Sequence, residues 1–311
     1  MKNSVMSPAI SVIIPSSRPE EVVETIQGLE RQDLDKDLFE ILVVSPFKLD
    51  YRQIGLPRIR TIQTTYLYAP GKMRNLGAVE AQGDYLAFID DDCIPPVRWL
   101  STLLNILQEQ AKVAAVGCRV ISLKKSYWGR AADYALFAAY QYSTRKRIAL
   151  GSAAIMFNRS RFEEVGGFDE TLKASEDWDV SLKLQDGDWD CIFDPQVEVL
   201  HDHGCYDFLA ILKKSYMYGL RSRLVVQNRH KDKMSWLAKL SLYMSSPWLY
   251  WLLIVPYAFL VCIFQGIDFI RWDKKIILYF PVLCICRLGY HIGVFNGLVN
   301  DKRSSFFLNK Y

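Results

Sequence analysis

The stretch Tyr85-Leu86-Ala87-Phe88-Ile89 reads as a buried β-strand and runs straight into three consecutive aspartates, Asp90, Asp91 and Asp92. Three adjacent anions raise one another's pKa unless a divalent metal, a basic side chain or open water offsets the charge. In an open α/β sheet the carboxyl end of a strand is also where ligands bind. Alternation along a strand sends Asp90 and Asp92 to one side and Asp91 to the other, so an Asp-x-Asp pair is expected to share one ligand site. The plainer alternative is a solvated acidic turn before the helix that follows Pro95 and Pro96.

The residues around this strand alternate between two periodicities. Ile10 to Ile14 is apolar and β-branched, and Pro15 to Pro19 breaks it; Glu20 to Arg31 then places Val22, Val23, Ile26 and Leu29 on one helical side. Phe39 to Val44 and Ile59 to Gln63 read as further strands, Lys72 to Ala81 and Leu100 to Gln110 as helices, and Val113 to Val120 as another strand. Such alternation predicts an α/β fold with a mostly parallel sheet flanked by helices. The loop after the first strand then opens toward the same edge as Asp90 to Asp92, and a nucleotide fits across that edge.

The last third of the chain has a different character. Between Tyr206 and Leu240 lie Lys213, Lys214, Arg221, Arg223, Arg229, Lys231, Lys233 and Lys239, opposed only by Asp207 and Asp232. An uncharged run from Leu242 to Ile267 follows, long enough to cross a bilayer, and a second apolar stretch, Ile276 to Asn300, is interrupted by Arg287 and His291. This order suits a basic segment against anionic headgroups beside a membrane helix. Two spans and a hairpin that enters from one face are both compatible with it, because Arg271, Lys274 and Lys275 lie between the segments while Lys302, Arg303 and Lys310 follow them. The expected organisation is residues 1–205 as a catalytic domain, 206–240 as a basic juxtamembrane helical segment and 241–311 as a membrane-associated helical hairpin. The net charge of +4 is too small to argue for nucleic acid. Seven scattered cysteines, of which only Cys284 and Cys286 are closely spaced and read as packing in the apolar tail, and an apolar stretch at Ala9 to Ile14 too short for a signal peptide, point to a reducing cytosolic setting for the first two thirds.

Six motifs stand in one order: Ser11-Val12-Ile13-Ile14-Pro15, Gly71-Lys72-Met73-Arg74-Asn75-Leu76-Gly77, Gly83 to Asp92, Gly151-Ser152-Ala153-Ala154, Val165-Gly166-Gly167-Phe168-Asp169-Glu170, and Glu176-Asp177-Trp178-Asp179. Together they resemble the family 2 glycosyltransferases of GT-A fold, over about residues 9 to 225, and ordered independent motifs are more specific than any one alone. The resemblance implies a nucleotide-sugar donor on the loop Pro15, Ser16, Ser17 and Arg18, where hydroxyls and a guanidinium suit ribose and phosphate. It implies Asp90 facing the ribose, Asp91 in the same donor-binding set, and Lys72, Arg74 and Asn75 beside the donor. Arg74 and Asn75 tying the loop to the sheet is the structural alternative.

The same resemblance implies Mg2+ or Mn2+ held by Asp92 with Asp90, against the donor diphosphate. His201, at the end of the strand Val197 to Leu200, falls where the family has a histidine near the metal; His203 reads as a surface residue. Glu176 and Asp177 match the family's acidic pair, with Asp177 expected as general base on the acceptor hydroxyl and Glu176 orienting the acceptor, the exchanged roles being the alternative, and the outcome is inversion. Asp179 suits the charge of a helix N-terminus. Tyr218-Gly219-Leu220-Arg221 looks like a segment of membrane-associated members, which implies a lipid-linked saccharide or surface glycan as acceptor, membrane lipids as partners, and a cytoplasmic membrane location with the catalytic domain facing the cytosol.

Two features depart from the family pattern. Val44-Ser45-Pro46 stands where an aspartate often reads the base, so UDP, GDP and dTDP donors are not distinguished. The Gln-x-x-Arg-Trp motif of processive synthases is absent, which favours transfer of a single sugar. Transfer to polyprenyl phosphate and a catalytically silent sugar-binding protein are the alternatives. The first needs no base for an acceptor that is already anionic, and the second needs neither metal pair nor base.

Overall fold

A computed structural model describes residues 7–48, 56, 58–137, 149–172, 174–221, 224–243 and 247–308. Arg223 and Lys310 of the basic positions, and residues 244–246 of the first apolar run, lie outside the described residues. The chain forms two compact units, one of Met1–Ile121, Ser143–Leu172 and Glu176–Asp202, the other of Ser122–Tyr142, Lys173–Ser175 and His203–Tyr311.

The first unit is built on eight strands: β1 (Ile10–Pro15), β2 (Phe39–Ser45), β3 (Ile59–Gln63), β4 (Tyr85–Ile89), β5 (Cys93–Ile94), β6 (Val113–Ser122), β7 (Ala154–Asn158) and β8 (Asp190–His201). They form one sheet in the order β3-β2-β1-β4-β7-β6-β8-β5. Its helices are α1 (Val22–Glu30), α2 (Pro70–Glu80), α3 (Trp99–Glu109), α5 (Arg159–Glu164) and α6 (Glu176–Asp186). The expected parallel arrangement holds for β3-β2-β1-β4, where each connection carries enough chain for a crossover. Beyond β4 the sheet turns antiparallel, with β7 against both β4 and β6, and β5 against β8. The sheet is therefore mixed.

Packing explains how the site edge is held. β1, β2 and β4 are buried almost throughout, as continuous apolar strands covered on both faces should be. Phe88, Phe157, Phe162 and Phe168 form an edge-to-face and tilted aromatic cluster beneath β4, with centroids 5.2–6.2 Å apart. Helix α2 approaches β1 so closely that a Cβ at Gly77 would lie 2.4 Å from Ile13 Cγ2. That approach brings Arg74 and Asn75 of α2 under the carboxyl ends of the strands.

The second unit is helical: α4 (Tyr127–Ala135), α7 (Phe208–Leu220), α8 (Leu224–Arg229), α9 (Trp236–Tyr243), α10 (Pro247–Ile270) and α11 (Ile276–Leu308). Helices α10 and α11 are long and apolar enough to cross a membrane. Ala131, Ala132, Tyr134 and Ala135 of α4 share one core with Ile211 of α7, Cys262 and Phe269 of α10, and Ile276, Leu283 and Cys286 of α11. Helix α4, which the sequence places inside the first 205 residues, thus packs with the helical tail, because its small apolar face is covered there.

Candidate active site

The aspartate run begins where β4 ends. Ile89 is the last strand residue, and Asp91 and Asp92 lie in a turn that leads into β5. Strand alternation therefore does not apply, and the expected sharing of one site by Asp90 and Asp92 gives way to a different grouping. Asp91 and Asp92 meet at Arg18, whose Nη2 donates to Asp91 Oδ1 at 2.8 Å and to Asp92 Oδ2 at 2.7 Å. Asp90 Oδ1 instead accepts from Arg74 Nη2 at 2.6 Å.

Asp91 organises the loop after β1. Its Oδ2 accepts from the backbone N–H of Ser17 at 2.9 Å and of Arg18 at 3.1 Å, and its own carbonyl accepts from Thr25 Oγ1 at 2.9 Å. It is buried, and its carboxylate is committed inside the loop. Burial pushes its pKa up against the opposing pull of Arg18. Ser16 is fully buried beneath Arg18, and Pro15 closes β1 opposite Val44. Arg18 has a third partner absent from the motif reading, Glu21, whose Oε2 lies 2.6 Å from Nη1.

His201 reaches this turn by strand pairing. Cys93 of β5 stands opposite His201 of β8 in the antiparallel register, and His201 Nε2 lies 3.1 Å from Asp92 Oδ1. Burial disfavours ionised Asp92, but His201 and Arg18 outweigh it and hold the carboxyl well below the usual range. Asp92 Oδ1 is buried yet accepts no well-aligned hydrogen bond. Asp92, Cys93 and His201 bring one ligand atom each within 4.8 Å of one another. Burial first, then Asp92 and Asp90, push the Cys93 thiol well above its ordinary value, and its Sγ donates to the Ala153 carbonyl at 3.4 Å. The donor set left is one carboxylate and one imidazole, which fits Mn2+ and, less well, Mg2+. Asp90 lies outside this group.

The acidic pair sits at the first turn of α6, directly after Ser175, whose φ of 65° is left-handed. Glu176 Oε1 accepts from Arg74 Nη1 at 3.0 Å, so Arg74 joins Asp90 to Glu176 through one buried guanidinium. Burial opposes the charge on Arg74, but Asp90 and Glu176 more than offset it. Burial raises the Glu176 pKa, the charge of Asp177 adds to the rise, and Arg74 pulls it back. Asp177 is partly exposed; its Oδ2 accepts from the Ser152 N–H at 3.1 Å and its Oδ1 from the Trp178 N–H at 2.8 Å. Asp90 N–H in turn donates to the Ala153 carbonyl at 3.1 Å. The segment Gly151 to Ala154 therefore ties the aspartate turn to the acidic pair through its backbone.

The remaining candidates hold the frame. Asn75 Nδ2 donates to the Phe168 carbonyl at 2.8 Å and Oδ1 accepts from the Phe168 N–H at 3.1 Å. The loop can present both groups because Gly166 and Gly167 take φ of 81° and 67°. Lys72 pairs with Glu170 at 3.6 Å and lies over Tyr68. Asp179 is fully buried and paired with Lys183 at 2.7 Å. His203 is buried in the second unit, 2.7 Å from Asp133 and stacked on Phe137, which corrects the expected surface position.

Residues 11–166 match the family model for Glycosyl transferase family 2. The chain is 31% identical over 183 residues to a pre-mycofactocin glycosyltransferase of Mycobacterium tuberculosis, covering 56% of this chain and 38% of that one. It is 27% identical over 250 residues to a putative colanic acid biosynthesis glycosyl transferase of Escherichia coli K12, covering 75% of this chain and 84% of that one. The chain thus spans well under half the length of the mycobacterial relative. A mannosyltransferase from Pyrobaculum calidifontis, solved in complex with GDP-Man and Mn2+, superposes with a TM-score of 0.62 at 16% identity, over 96% of this chain and 88% of that one. This similarity is one of fold.

Proposed function

Starting from a chain that belongs to glycosyl transferase family 2, we propose that it transfers one sugar, with inversion and with the help of a divalent cation, from a nucleotide-sugar donor to a lipid-linked or surface-glycan acceptor. The carrying observation is the pairing of β5 with β8, which brings His201 within 3.1 Å of Asp92 beside an acidic pair reached through Arg74. Asp92 and His201 would hold a divalent cation, which would supply positive charge to the departing nucleoside diphosphate. Arg18, released from Asp92, is placed to pair with the donor diphosphate in a bidentate manner. Asp90, oriented by Arg74, faces the ribose.

Asp177 acts as base. It takes the acceptor hydroxyl proton while that oxygen bonds the anomeric carbon and the carbon–oxygen bond to the diphosphate breaks. Attack opposite the leaving group inverts the anomeric centre. Glu176, held by Arg74 and more deeply buried, positions the site. An intact base favours a neutral hydroxyl acceptor over polyprenyl phosphate. The basic residues before α10 and the apolar helices after them favour a membrane-borne acceptor, with the site facing the cytosol.

The test is a screen of nucleotide sugars against the detergent-solubilised protein with and without Mn2+, reading release of nucleoside diphosphate. Release from one donor that requires Mn2+ supports the reading. Equal release without any divalent cation overturns the role of Asp92 and His201, and absence of donor binding by calorimetry overturns the transferase reading itself.

A further inference from the structure

Helices α10 and α11 are each long enough for a crossing; at about 1.5 Å per residue, α10 alone measures about 36 Å. What lies against the turn between them argues otherwise. Tyr127 Oη, at the start of α4, donates to the Leu278 carbonyl at 3.2 Å. Tyr134 Oη donates to Asp273, and its ring stacks on Tyr279 at 5.1 Å and meets Phe269 at 6.0 Å. The end of the hairpin is therefore seated on α4. Only Leu123, Lys124, Lys125 and Ser126 join α4 to strand β6 of the catalytic sheet. That tether reaches at most about 18 Å, whereas a hydrocarbon core is about 30 Å thick.

The middle of α11, from Cys286 to Gly297, packs on a second tethered helix. Helix α7 starts a few residues after β8 ends at His201, and it meets α11 at backbone contact. A Cβ at Gly293 would lie 2.1 Å from the Tyr216 carbonyl oxygen, one at Gly219 would strike the Tyr290 carbonyl, and Ser215 Oγ donates to the Cys286 carbonyl at 2.6 Å. The polar residues that interrupt α11 face α10: Arg287 Nε donates to Gln265 at 2.8 Å, and His291 Nδ1 lies 2.6 Å from Tyr250 Oη.

Among the described residues, one face of α10 is exposed from Trp248 to Ile267. Trp248, Leu252, Val255, Phe259, Ile263 and Ile267 are exposed at helical spacing, while Tyr250, Ile254 and Cys262 on the other side are buried. Exposed Trp248 and Trp272 stand near the two ends of this stripe, and Arg271, Lys274 and Lys275 are exposed at the turn. An apolar stripe with tryptophans at its ends and cations beside it suits an anionic lipid surface.

We propose that α10 and α11 form a one-sided hairpin lying in the interface of an anionic bilayer, with its turn on the same side as the catalytic sheet, and do not cross the membrane. This rests on the membrane-associated part of the reading above and is independent of the sugar chemistry. The hairpin places the exposed face of α10 among acyl chains while the cations at its turn stay among headgroups.

The test uses the full chain in everted membrane vesicles of a bacterial host, carrying either Gln108→Cys on α3 or Lys274→Cys at the turn, both at exposed positions. The wild type is the blank, since all its cysteines but Cys284 are buried. A membrane-impermeant maleimide is applied before and after permeabilisation. The expected result is labelling of both variants to the same fraction before permeabilisation. Equal protection of both keeps the hairpin and moves the catalytic sheet to the other face of the membrane. Labelling of Lys274→Cys only after permeabilisation, with Gln108→Cys labelled before, overturns the hairpin and leaves the membrane reading intact. Failure of Lys274→Cys to label in either condition also overturns it, by placing the turn in hydrocarbon. Recovery of the chain as a soluble dimer, free of vesicles, overturns both readings by giving the α10 face to a second copy.

Discussion

Two arginines hold carboxylates at the same sheet edge, and their surroundings differ. Arg74 is 4% exposed in its side chain, locked between Asp90 and Glu176; Arg18 is 42% exposed and shared among Asp91, Asp92 and Glu21. Arg74 has no solvent to replace a lost partner, so its charge is a fixed part of the frame. Arg18 can exchange one counter-charge for another, because its guanidinium is open to water while Asp91 keeps two backbone N–H donors and Asp92 keeps His201. The chemistry assigned to each follows from this contrast. On the function proposed above, the cluster at Arg74 would aim the base, and the one at Arg18 would receive a charged ligand that arrives and leaves.

The contrast is tested hardest at Asp177, which borders the sealed cluster but is itself accessible. Asp177→Asn is expected to lower turnover by about 10²- to 10⁴-fold, the usual worth of a general base, while donor binding by calorimetry stays close to the wild type. Wild-type turnover in this variant would overturn the assignment of Asp177 as the base. The next largest effect is on stability. Arg74→Met removes a buried cation from buried Glu176 and partly exposed Asp90 and is expected to cost about 3–5 kcal/mol, whereas Arg18→Met removes a half-exposed cation and leaves Asp91 its two backbone N–H donors and Asp92 its His201, and is expected to cost less, about 1 kcal/mol. Denaturant unfolding of the two variants in matched detergent measures both, and equal losses would erase the distinction between a sealed and an open cluster.

Much of this arrangement was legible before any coordinates. The strands from β1 to β4 and the helices between them follow from apolar runs alternating with helical spacing, since a doubly covered parallel strand has little room for polar residues. What escaped has physical reasons. β5 is only Cys93–Ile94, too short for any periodic signal, yet its pairing is what delivers His201 to Asp92. The role of Ser152 lies in a backbone N–H, which every residue but proline carries, so residue identity cannot announce it. Alternation mispaired Asp90 with Asp92 because β4 stops at Ile89, directly before the aspartates, and strand ends are the least periodic part of a pattern. The antiparallel half of the sheet depends on tertiary pairing that local sequence does not encode.

Metal binding offers a sharper, smaller comparison within the open cluster. Asp92→Asn is expected to weaken Mn2+ binding to the donor-free protein by at least about tenfold, as loss of a supporting group already costs about 10- to 100-fold. Arg18→Met removes the cation that competes for Asp92 and is expected to tighten Mn2+ binding by up to about fivefold, equivalent to about 1 kcal/mol, while weakening donor binding. Electron paramagnetic resonance of free Mn2+ reads both without turnover. Weaker Mn2+ binding in Arg18→Met would mean that the guanidinium shapes the site and does not occupy it.

The smallest effect concerns the charge of Glu176. Its folded-state pKa is raised above an ordinary value of 4.5, by burial and then by Asp177, despite the opposing pull of Arg74. A carboxyl raised in this way contributes stability that is fully present below the unfolded pKa and is lost as pH rises through the folded one. Glu176→Gln cannot lose it. The stability of the wild type relative to Glu176→Gln is therefore expected to fall as pH climbs from about 4.5, then to level off once Glu176 is ionised in both states. Unfolding midpoints of the two proteins across this range measure the difference, in which titrations common to both cancel. A slope of the opposite sign would mean that Arg74 compensates Glu176 more completely than burial penalises it. The sealed cluster would then titrate as a solvated ion pair does, and the separation between a fixed frame at Arg74 and an exchangeable charge at Arg18 would have to rest on exposure alone.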